Sequence, residues 1–318
     1  MQSAPKPKII IIIGPTASGK TGLSLLLAQE FKGEVINADS RQVYKKLDVG
    51  TEKITEEEMK SIPHHLLSIV DINTVYTAMD FKRDAETAIT EITERGNVPI
   101  IAGGTFFYID TLLGKMGTSP VEPNWELRAE LEKSSAEELF VLLQKKDPRR
   151  ASTIEKDNKR RLIRALEIAE ELSLVPEQIG ETECPYNVLT IGITIDTEVL
   201  KERLRTRAQS ALTKGLIEET QMLLTQGVSI ERLSEIGLQY KVAMEYLDSS
   251  ITQTSPRVRD GIPYSPMSNA ELIQKLGEKN WQYAKRQLLW LKRNEDIVWF
   301  KREDTDAISA VVSEFLKS

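Results

Sequence analysis

At 318 residues, the chain is long enough for one large domain or two modest ones, and it can bury a sizeable core without crosslinks. Its single cysteine excludes an intrachain disulfide and a cysteine-cluster metal site, and its formal net charge of −6 argues against a surface that is basic throughout. Apolar runs such as Ile9–Ile13 are too short to cross a bilayer, and residues 1–8 lack the pattern of a signal peptide, so the sequence predicts a cytoplasmic protein with no membrane association.

In the first hundred residues, short β-branched runs alternate with longer helical patterns. The predicted strands are Ile9–Ile13, Glu34–Asn37 and Val98–Ala102, and the predicted helices are Gly19–Phe31 and Ala78–Arg95. This alternation is typical of a parallel sheet covered by helices. The sequence therefore predicts an α/β fold for this part of the chain.

A long interruption separates this part from the next predicted strand, Val188–Ile195. The interruption is mostly helical in pattern, with helices predicted over Trp125–Lys146 and Arg149–Leu172. Because a parallel sheet can accept an insertion at a strand edge, we expect two domains. They are a core formed by residues 1–114 and 186–318, and a smaller all-helical domain inserted over residues 115–185.

The remainder of the chain is also helical in pattern. Helices are predicted over Glu198–Gln226 and Ser234–Leu247. A loop rich in proline, glycine and serine follows over Ser249–Ser268, and a long helix over Asn269–Arg293 comes after it.

The segment after the first predicted strand fits the phosphate-binding pattern G-x-x-x-x-G-K-[ST], with a strand before it and an apolar helix after it. Its glycines allow backbone N–H groups to surround an anion, and the start of the helix adds partial positive charge. Lys20 supplies a full positive charge, and the Thr21 hydroxyl is a candidate ligand for Mg²⁺. The predicted P-loop comprises Gly14, Pro15, Thr16, Ala17, Ser18, Gly19, Lys20 and Thr21.

Asp39 follows the second predicted strand, at the edge of the sheet where ligands gather in open α/β folds. A kinase could use such an aspartate as a base for a hydroxyl, and another transferase could use it to take a proton from an amine. An aspartate that only caps a turn would give the same pattern. The third strand ends in Gly103-Gly104-Thr105 instead of a carboxylate, which disfavours a nucleotide-hydrolysing motor.

Further motifs are spread along the chain in a fixed order. With the P-loop, they are GPTASGKT at 14–21, NADSRQVY at 37–44, DVGTEK at 48–53, PHHL at 63–66, GGT at 103–105 with Tyr108, DP at 147–148, N-x-x-R-x-x-RALE at 158–167, R-x-x-x-R at 203–207, KGLIEE at 214–219 and AKRQLLW at 284–290. Taken together and in this order, they resemble the bacterial tRNA dimethylallyltransferases over nearly the whole chain. The chain departs from the family pattern at Phe106-Phe107 and Asn280-Trp281.

The resemblance implies a P-loop NTPase-like core with an inserted helical domain, acting as a monomer. It also implies transfer of the five-carbon group of dimethylallyl diphosphate to the exocyclic N6 amine of the adenosine 3′-adjacent to the anticodon in tRNA. The P-loop then holds diphosphate with Mg²⁺ at Thr21. In this family, the residue matching Thr16 contacts the oxygen between carbon and diphosphate, and the residue matching Asp39 accepts the amine proton. Arg203 and Arg207 match the paired arginines of the family, of which one is expected to reach the diphosphate.

The tRNA is expected to meet the residues after the second strand and two basic patches. Between residues 145 and 164, nine lysines or arginines accompany three acidic residues, and a further basic patch lies on the helix predicted over Asn269–Arg293. The adenine must leave the anticodon-loop stack to reach the electrophile. The residues expected to contact tRNA are Asp39, Ser40, Arg41, Gln42, Thr105, Arg161, Arg164, Lys285 and Arg286.

Three other functions remain open from the sequence. An adenylate isopentenyltransferase would use free AMP or ADP as its acceptor, although it would need neither the inserted domain nor the basic patches. A P-loop small-molecule kinase would use Asp39 as its base. A non-catalytic P-loop protein could simply bind RNA.

Overall fold

The core of the protein is a six-stranded parallel sheet. The computed structural model describes residues 5–116, 119, 121–176, 183–251, 258–259, 262–263 and 267–318. The sheet contains β1 (Lys8–Ile13), β2 (Gly33–Asn37), β3 (His64–His65), β4 (Val98–Ala102), β5 (Asn187–Thr194) and β8 (Ile297–Lys301), in the order β3-β2-β4-β1-β5-β8. A separate hairpin pairs β6 (Val258–Arg259) with β7 (Ile262–Pro263) in antiparallel fashion. These strands and the helices around them confirm the predicted α/β fold.

Two compact units make up the chain: residues 1–113 with 184–318, and residues 114–183. The first unit contains the sheet. Its helices are α1 (Lys20–Phe31), α2 (Ala78–Glu94), α3 (Phe106–Leu112), α8 (Thr197–Thr213), α9 (Leu216–Thr225), α10 (Ile230–Ile236), α11 (Leu238–Ile251), α12 (Asn269–Leu291) and α13 (Thr305–Lys317).

The isoleucines of β1 are buried on both faces of the sheet, because successive side chains of a strand point to opposite sides. Ile9 and Ile11 belong to a cluster that includes Phe81 of α2. Ile10 and Ile12 belong to another cluster, which includes residues of α1 and α13. A central strand covered on both sides explains why its sequence is a continuous apolar run.

The second unit is helical throughout its described part. It contains α4 (Trp125–Leu131), α5 (Ala136–Lys146), α6 (Pro148–Ala151) and α7 (Lys159–Leu172) around an apolar cluster that includes Leu143 and Leu162. Glu167 is 2% exposed, and it accepts hydrogen bonds from both Arg128 and the backbone N–H of Asn124. This buried carboxylate therefore ties α4 to α7.

Four predicted helices are wrong as single elements, because capping residues and glycines divide each of them. Ser135 forms a capping box with Glu138 and starts α5, and Asn158 caps α7. Gly215 adopts a left-handed backbone, with φ 98°, between α8 and α9. Gly237 lies between α10 and α11 with an extended backbone.

The sequence missed six elements, namely β3, α3, β6, β7, β8 and α13. In the predicted loop over residues 249–268, α11 continues to Ile251 and the hairpin of β6 and β7 follows, whereas the positions 252–257, 260–261 and 264–266 lie outside the described residues. A search of the described helices finds none with the length and apolar character of a bilayer span.

Candidate active site

The turn between β1 and α1 has the backbone that an anion-binding loop requires. Ala17 and Gly19 adopt left-handed conformations, with φ 62° and 98°. The Ser18 N–H donates to the Pro15 carbonyl at 3.2 Å, which closes the turn. Backbones that alternate between right- and left-handed residues can form an anion-binding nest of N–H groups, and the first turn of a helix adds its own unpaired N–H groups.

Lys20 folds back over the P-loop. Its ammonium group donates to the carbonyl oxygens of Gly14 at 3.0 Å and Pro15 at 2.8 Å. Burial, and to a lesser extent the charge of Arg207, lower the pKa of Lys20 to about 7, against the opposite effect of the Asp39 carboxylate. An anion in the loop would favour the charged ammonium, so this lysine is poised for a phosphate ligand.

Arg207 is the member of the predicted arginine pair that reaches the site. Its guanidinium donates to the Thr16 hydroxyl at 2.8 Å and forms an ion pair with Glu52. Burial lowers the pKa of Arg207 to about 10. Arg203 is exposed, makes a long contact of 3.4 Å with the Ala17 carbonyl, and does not line the cavity between the P-loop and Asp39.

Asp39 lies just beyond β2 with its carboxylate anchored on one side. Its Oδ1 accepts from the backbone N–H of Arg41 at 2.8 Å and from that of Gln42 at 3.4 Å. Within the described part of the chain, no other hydrogen bond to Asp39 is found, so Oδ2 is available to a ligand. The carboxylate is thus oriented by the turn while one oxygen stays accessible.

The P-loop, Asp39 and the Gly103-Gly104 turn surround a cavity of about 290 Å³. Gly103 packs so closely on the backbone after β2 that a Cβ there would lie 2.2 Å from the Ala38 carbonyl oxygen. Beside it, the Thr105 hydroxyl accepts from the Ser40 N–H at 3.0 Å and lies 3.3 Å from the Ser40 hydroxyl. The ends of β1, β2 and β4 therefore meet at one edge of the sheet, where β4 lies between the other two strands.

Helix α12 closes the cavity with residues that sequence reasoning missed. Gln287 is buried, its Oε1 accepts from the Thr16 N–H at 2.8 Å, and its Nε2 donates to the Gly104 carbonyl at 3.0 Å. Tyr283 contacts the same carbonyl at 3.4 Å, and burial together with the Asp39 charge raises the pKa of this phenol to about 12. The available signal was the position of Gln287, which shares a buried stripe with Ala284 and Leu291.

The loop from Asp48 to Lys53 contacts the site through Arg207, which lines the cavity. It carries Glu52, the partner of Arg207, which the sequence did not single out. Gln42 donates through its amide nitrogen to the carbonyls of Thr51 at 3.1 Å and Glu52 at 3.3 Å. This nitrogen is therefore engaged with the chain itself, which disfavours its use in the predicted contact between Gln42 and tRNA.

The other predicted tRNA-contacting residues are distributed over both units. Lys285 and Arg286 are exposed on α12, and the Arg286 guanidinium lies 5.7 Å from the centre of the Tyr283 ring. In the helical unit, Arg161 is exposed and pairs with Glu155. Arg164 pairs with the buried Glu167 and donates to the Val121 carbonyl, which gives it a structural task in its own unit.

Of the two histidines, His65 belongs to a network around a buried carboxylate, and His64 lies 2.8 Å from the Ile62 carbonyl oxygen through Nδ1. His65 contacts the buried Glu34 carboxylate at 2.7 Å, and Arg95 and Asn97 bind the same carboxylate. The hydrogen bond from Arg95 is the main reason why the pKa of Glu34 falls to about 2. Among the described residues, no group of three histidine, cysteine, aspartate or glutamate side chains could hold a metal ion.

The donor set at the P-loop nevertheless fits a magnesium ion that a substrate brings with it. Mg²⁺ is usually held by one or two protein oxygens together with phosphate oxygens and waters. The exposed hydroxyl of Thr21, at the first turn of α1, supplies such an oxygen beside the loop.

Known proteins resemble the chain along nearly its whole length. A tRNA dimethylallyltransferase of Staphylococcus carnosus is 39% identical over 316 residues, covering 95% of this chain and 94% of the relative. One of Halalkalibacterium halodurans is 37% identical over 310 residues, covering 95% of this chain and 93% of the relative.

Solved structures agree with these relatives. The full-length tRNA isopentenylpyrophosphate transferase of Bacillus halodurans matches with a TM-score of 0.68 and 34% identity, over 98% of this chain and 97% of that one. A eukaryotic dimethylallyltransferase acting on tRNA matches with a TM-score of 0.78 and 28% identity, over 98% and 80%. The IPP transferase family model matches residues 42–294, which is more than half of the chain. The chain belongs to the IPP transferase family.

Proposed function

We propose that the protein transfers the dimethylallyl group of dimethylallyl diphosphate to the N6 amine of the adenosine 3′-adjacent to the anticodon in tRNA, releasing diphosphate. One observation carries the proposal: the same cavity is lined by a P-loop, which suits a diphosphate, and by Asp39, which suits a proton acceptor. The relatives named for tRNA dimethylallyl transfer support this substrate pair.

The P-loop side of the cavity binds the leaving group. As the bond between the allylic carbon and the diphosphate oxygen breaks, its electron pair moves onto the diphosphate. Lys20, Arg207 and the inward N–H groups of the loop lie where that negative charge develops, so they stabilise the transition state more than the ground state. The Thr16 hydroxyl, oriented by Arg207, contacts the departing oxygen.

The Asp39 side of the cavity receives the nucleophile. The N6 nitrogen of adenine forms a bond to the allylic carbon and must then lose a proton, because an adenine amine is a weak nucleophile that becomes acidic as it is alkylated. Asp39 accepts this proton through Oδ2, while Oδ1 stays bound to the Arg41 N–H. A positioned base of this kind contributes about 10²–10⁴ in rate.

We assign Thr21 as the protein ligand of a Mg²⁺ ion. When bound, the ion supplies charge neutralisation and Lewis-acid polarisation of the diphosphate. The residues of the chain then have separate tasks: Thr21 binds the ion, Lys20 binds the phosphates, and Asp39 handles the proton.

The tRNA backbone is bound through exposed basic residues. Lys285 and Arg286 lie on α12, on which Tyr283 and Gln287 also line the cavity, so a phosphate contact there would guide the base toward Asp39. In the helical unit, the segment from residue 145 to 164 offers further positive charge, including the exposed Arg161. Contacts with phosphate make binding strongly dependent on salt, and one chain is proposed to bind one tRNA.

The proposal is tested with unmodified tRNA, free AMP and an unrelated small RNA as acceptors and labelled dimethylallyl diphosphate as donor. We expect label in tRNA alone, located on the adenosine after the anticodon. Label in AMP without label in tRNA would identify an adenylate isopentenyltransferase. In a parallel reaction with labelled ATP, transfer of the terminal phosphate without any prenyl transfer would identify a kinase and overturn the proposal.

A further inference from the structure

Glu219 lies outside the cavity and belongs to none of the functional groups described so far, yet its carboxylate is unusually well bound. Oε2 accepts from the backbone N–H groups of Asp48 at 3.0 Å and Val49 at 2.8 Å. Oε1 accepts from the Gly50 N–H at 2.9 Å and from the Tyr240 hydroxyl at 2.7 Å. Three consecutive backbone N–H groups thus converge on one side chain of α9.

We propose that Glu219 is a positioning residue for the diphosphate site, acting through the loop Asp48–Lys53, which carries Glu52 to Arg207. The inference rests on the proposed function and extends it to a residue that touches no substrate. A carboxylate with two oxygens is well matched to three N–H groups, because each oxygen can accept more than one hydrogen bond.

The loop needs such an anchor because its conformation is costly in itself. Glu52 adopts a left-handed backbone, with φ 52°, which is unfavourable for a residue with a Cβ. Its Oε1 is buried and has no hydrogen-bond partner among the described residues, so the carboxylate depends on its ion pair with Arg207. A segment with these features keeps its shape only when the surroundings hold it.

The anchor is rigid at its other end. Tyr240 is completely buried, and its ring packs so closely against Gly50 that a Cβ there would lie 2.4 Å from the ring. Burial and the neighbouring Glu219 hold the pKa of the Tyr240 phenol well above its usual range, so it remains a donor. The far side of the loop is secured by Lys53, which donates to the Tyr44 carbonyl and the Ser68 hydroxyl, both at 2.7 Å.

A continuous chain of contacts therefore runs from α9 to the reacting atoms. Glu219 fixes the loop, Glu52 on that loop pairs with Arg207, and Arg207 donates to the Thr16 hydroxyl. If the loop relaxes, Arg207 loses its orientation, and the leaving group loses stabilisation. The expected defect is in transfer, beyond any loss of stability.

The test is a double-mutant cycle of kcat/KM for tRNA prenylation with Glu219→Gln and Glu52→Gln. Glutamine keeps the size of Glu219 but replaces one acceptor oxygen with an NH₂ group, which cannot accept the loop N–H groups. We expect kcat/KM to fall about tenfold in each single variant. In the double variant it should fall no more than about twofold below that of the less active single variant, because both residues act through Arg207. Losses that multiply to about a hundredfold would overturn the proposal. Glu218→Gln, an exposed neighbour on α9, is the matched control and should keep wild-type kinetics.

Hydrogen exchange of the amides of Asp48, Val49 and Gly50 gives a readout that does not depend on activity. Their exchange should accelerate in Glu219→Gln and, more mildly, in Tyr240→Phe, and unchanged protection in both would refute the anchor. If Glu219→Gln fails to fold, Tyr240→Phe tests the proposal instead, because it leaves the Glu219 carboxylate in place and removes one of its donors. A decrease of about threefold in kcat/KM together with faster amide exchange would support the proposal. Wild-type values of both would contradict it. If the wild-type protein prenylates no tRNA, the proposed function is wrong. The hydrogen-exchange result would still show whether Glu219 holds the loop Asp48–Lys53 in place.

Discussion

Replacing Gln287 with methionine isolates the contribution of one buried amide to the site. Methionine has nearly the same length and fills the same space, but it cannot accept from the Thr16 N–H or donate to the Gly104 carbonyl. Both backbone groups then lose a partner at once. Because they belong to the P-loop and to the turn after β4, the change loosens two walls of the cavity together.

The magnitude follows from those two hydrogen bonds. A buried polar group left unpaired costs about 1–3 kcal/mol. The lower end applies because the adjacent cavity lets water reach the vacated positions, and because the Tyr283 hydroxyl still lies 3.4 Å from the Gly104 carbonyl oxygen. Two groups therefore cost about 2 kcal/mol of unfolding free energy. In a domain of this size, that corresponds to a decrease of about 4–8 °C in Tm. We expect kcat/KM to fall about tenfold as well, because Thr16 is no longer held.

Thermal unfolding and steady-state prenyl transfer measure the two effects. Gln282→Met is the matched control, since Gln282 lies on the same helix α12 but is exposed. It should change Tm by less than about 2 °C and leave kcat/KM unaltered. The reasoning fails if Gln287→Met behaves like Gln282→Met in both measurements.

Two further predictions concern glycines and charge. Gly103→Ala would place a Cβ 2.2 Å from a backbone oxygen, so we expect its free energy of unfolding, measured with urea, to fall by about 3 kcal/mol or more and most activity to be lost. A Cβ added at Gly277 on α12 would meet no other part of the chain within 4 Å, so Gly277→Ala should instead raise the free energy of unfolding by about 0.5–1 kcal/mol. Near-equal unfolding curves for the two variants would contradict this assignment. The pKa of Lys20 is about 7, and a bound anion raises it, so diphosphate binding above pH 7 is coupled to the uptake of a proton by Lys20. The Kd for diphosphate should therefore rise with pH above pH 7, by up to about tenfold per pH unit. Calorimetry should find a weaker pH dependence in Lys20→Met, and an identical slope in both proteins would refute the role of Lys20.

The local parts of the site could be predicted from the sequence, because short-range signals specify them. The loop from Gly14 to Thr21 is set by its glycines and flanking elements, and Asp39 follows directly from the end of its strand. Gln287 contacts Thr16 across 271 positions of sequence, and no short-range pattern reports such a pairing. The ion pair between Glu52 and Arg207 was missed for the same reason.

The fold shows the same division between local and distant information. Buried central strands such as β1 have a continuous apolar pattern, whereas β8 lies at the sheet edge, with Val298 and Trp299 partly exposed, and lacks that signal. Helix breaks at Ser135 and Gly215 depend on capping and on backbone conformation, which a periodicity search over long segments passes over. Helix propensity and periodicity therefore identified the helical regions, whereas the boundaries that divide those regions into separate helices are set by single residues.

Asp39→Asn tests the central claim most directly, because it removes the proton acceptor while keeping an oxygen to accept from the Arg41 N–H. Diphosphate affinity and the single-turnover rate of dimethylallyl transfer to tRNA should be measured on the same preparation. We predict a Kd within about twofold of wild type, since Asp39 does not bind the leaving group, and a transfer rate lower by about 10²–10⁴. A rate within a few-fold of wild type at unchanged affinity would contradict the account.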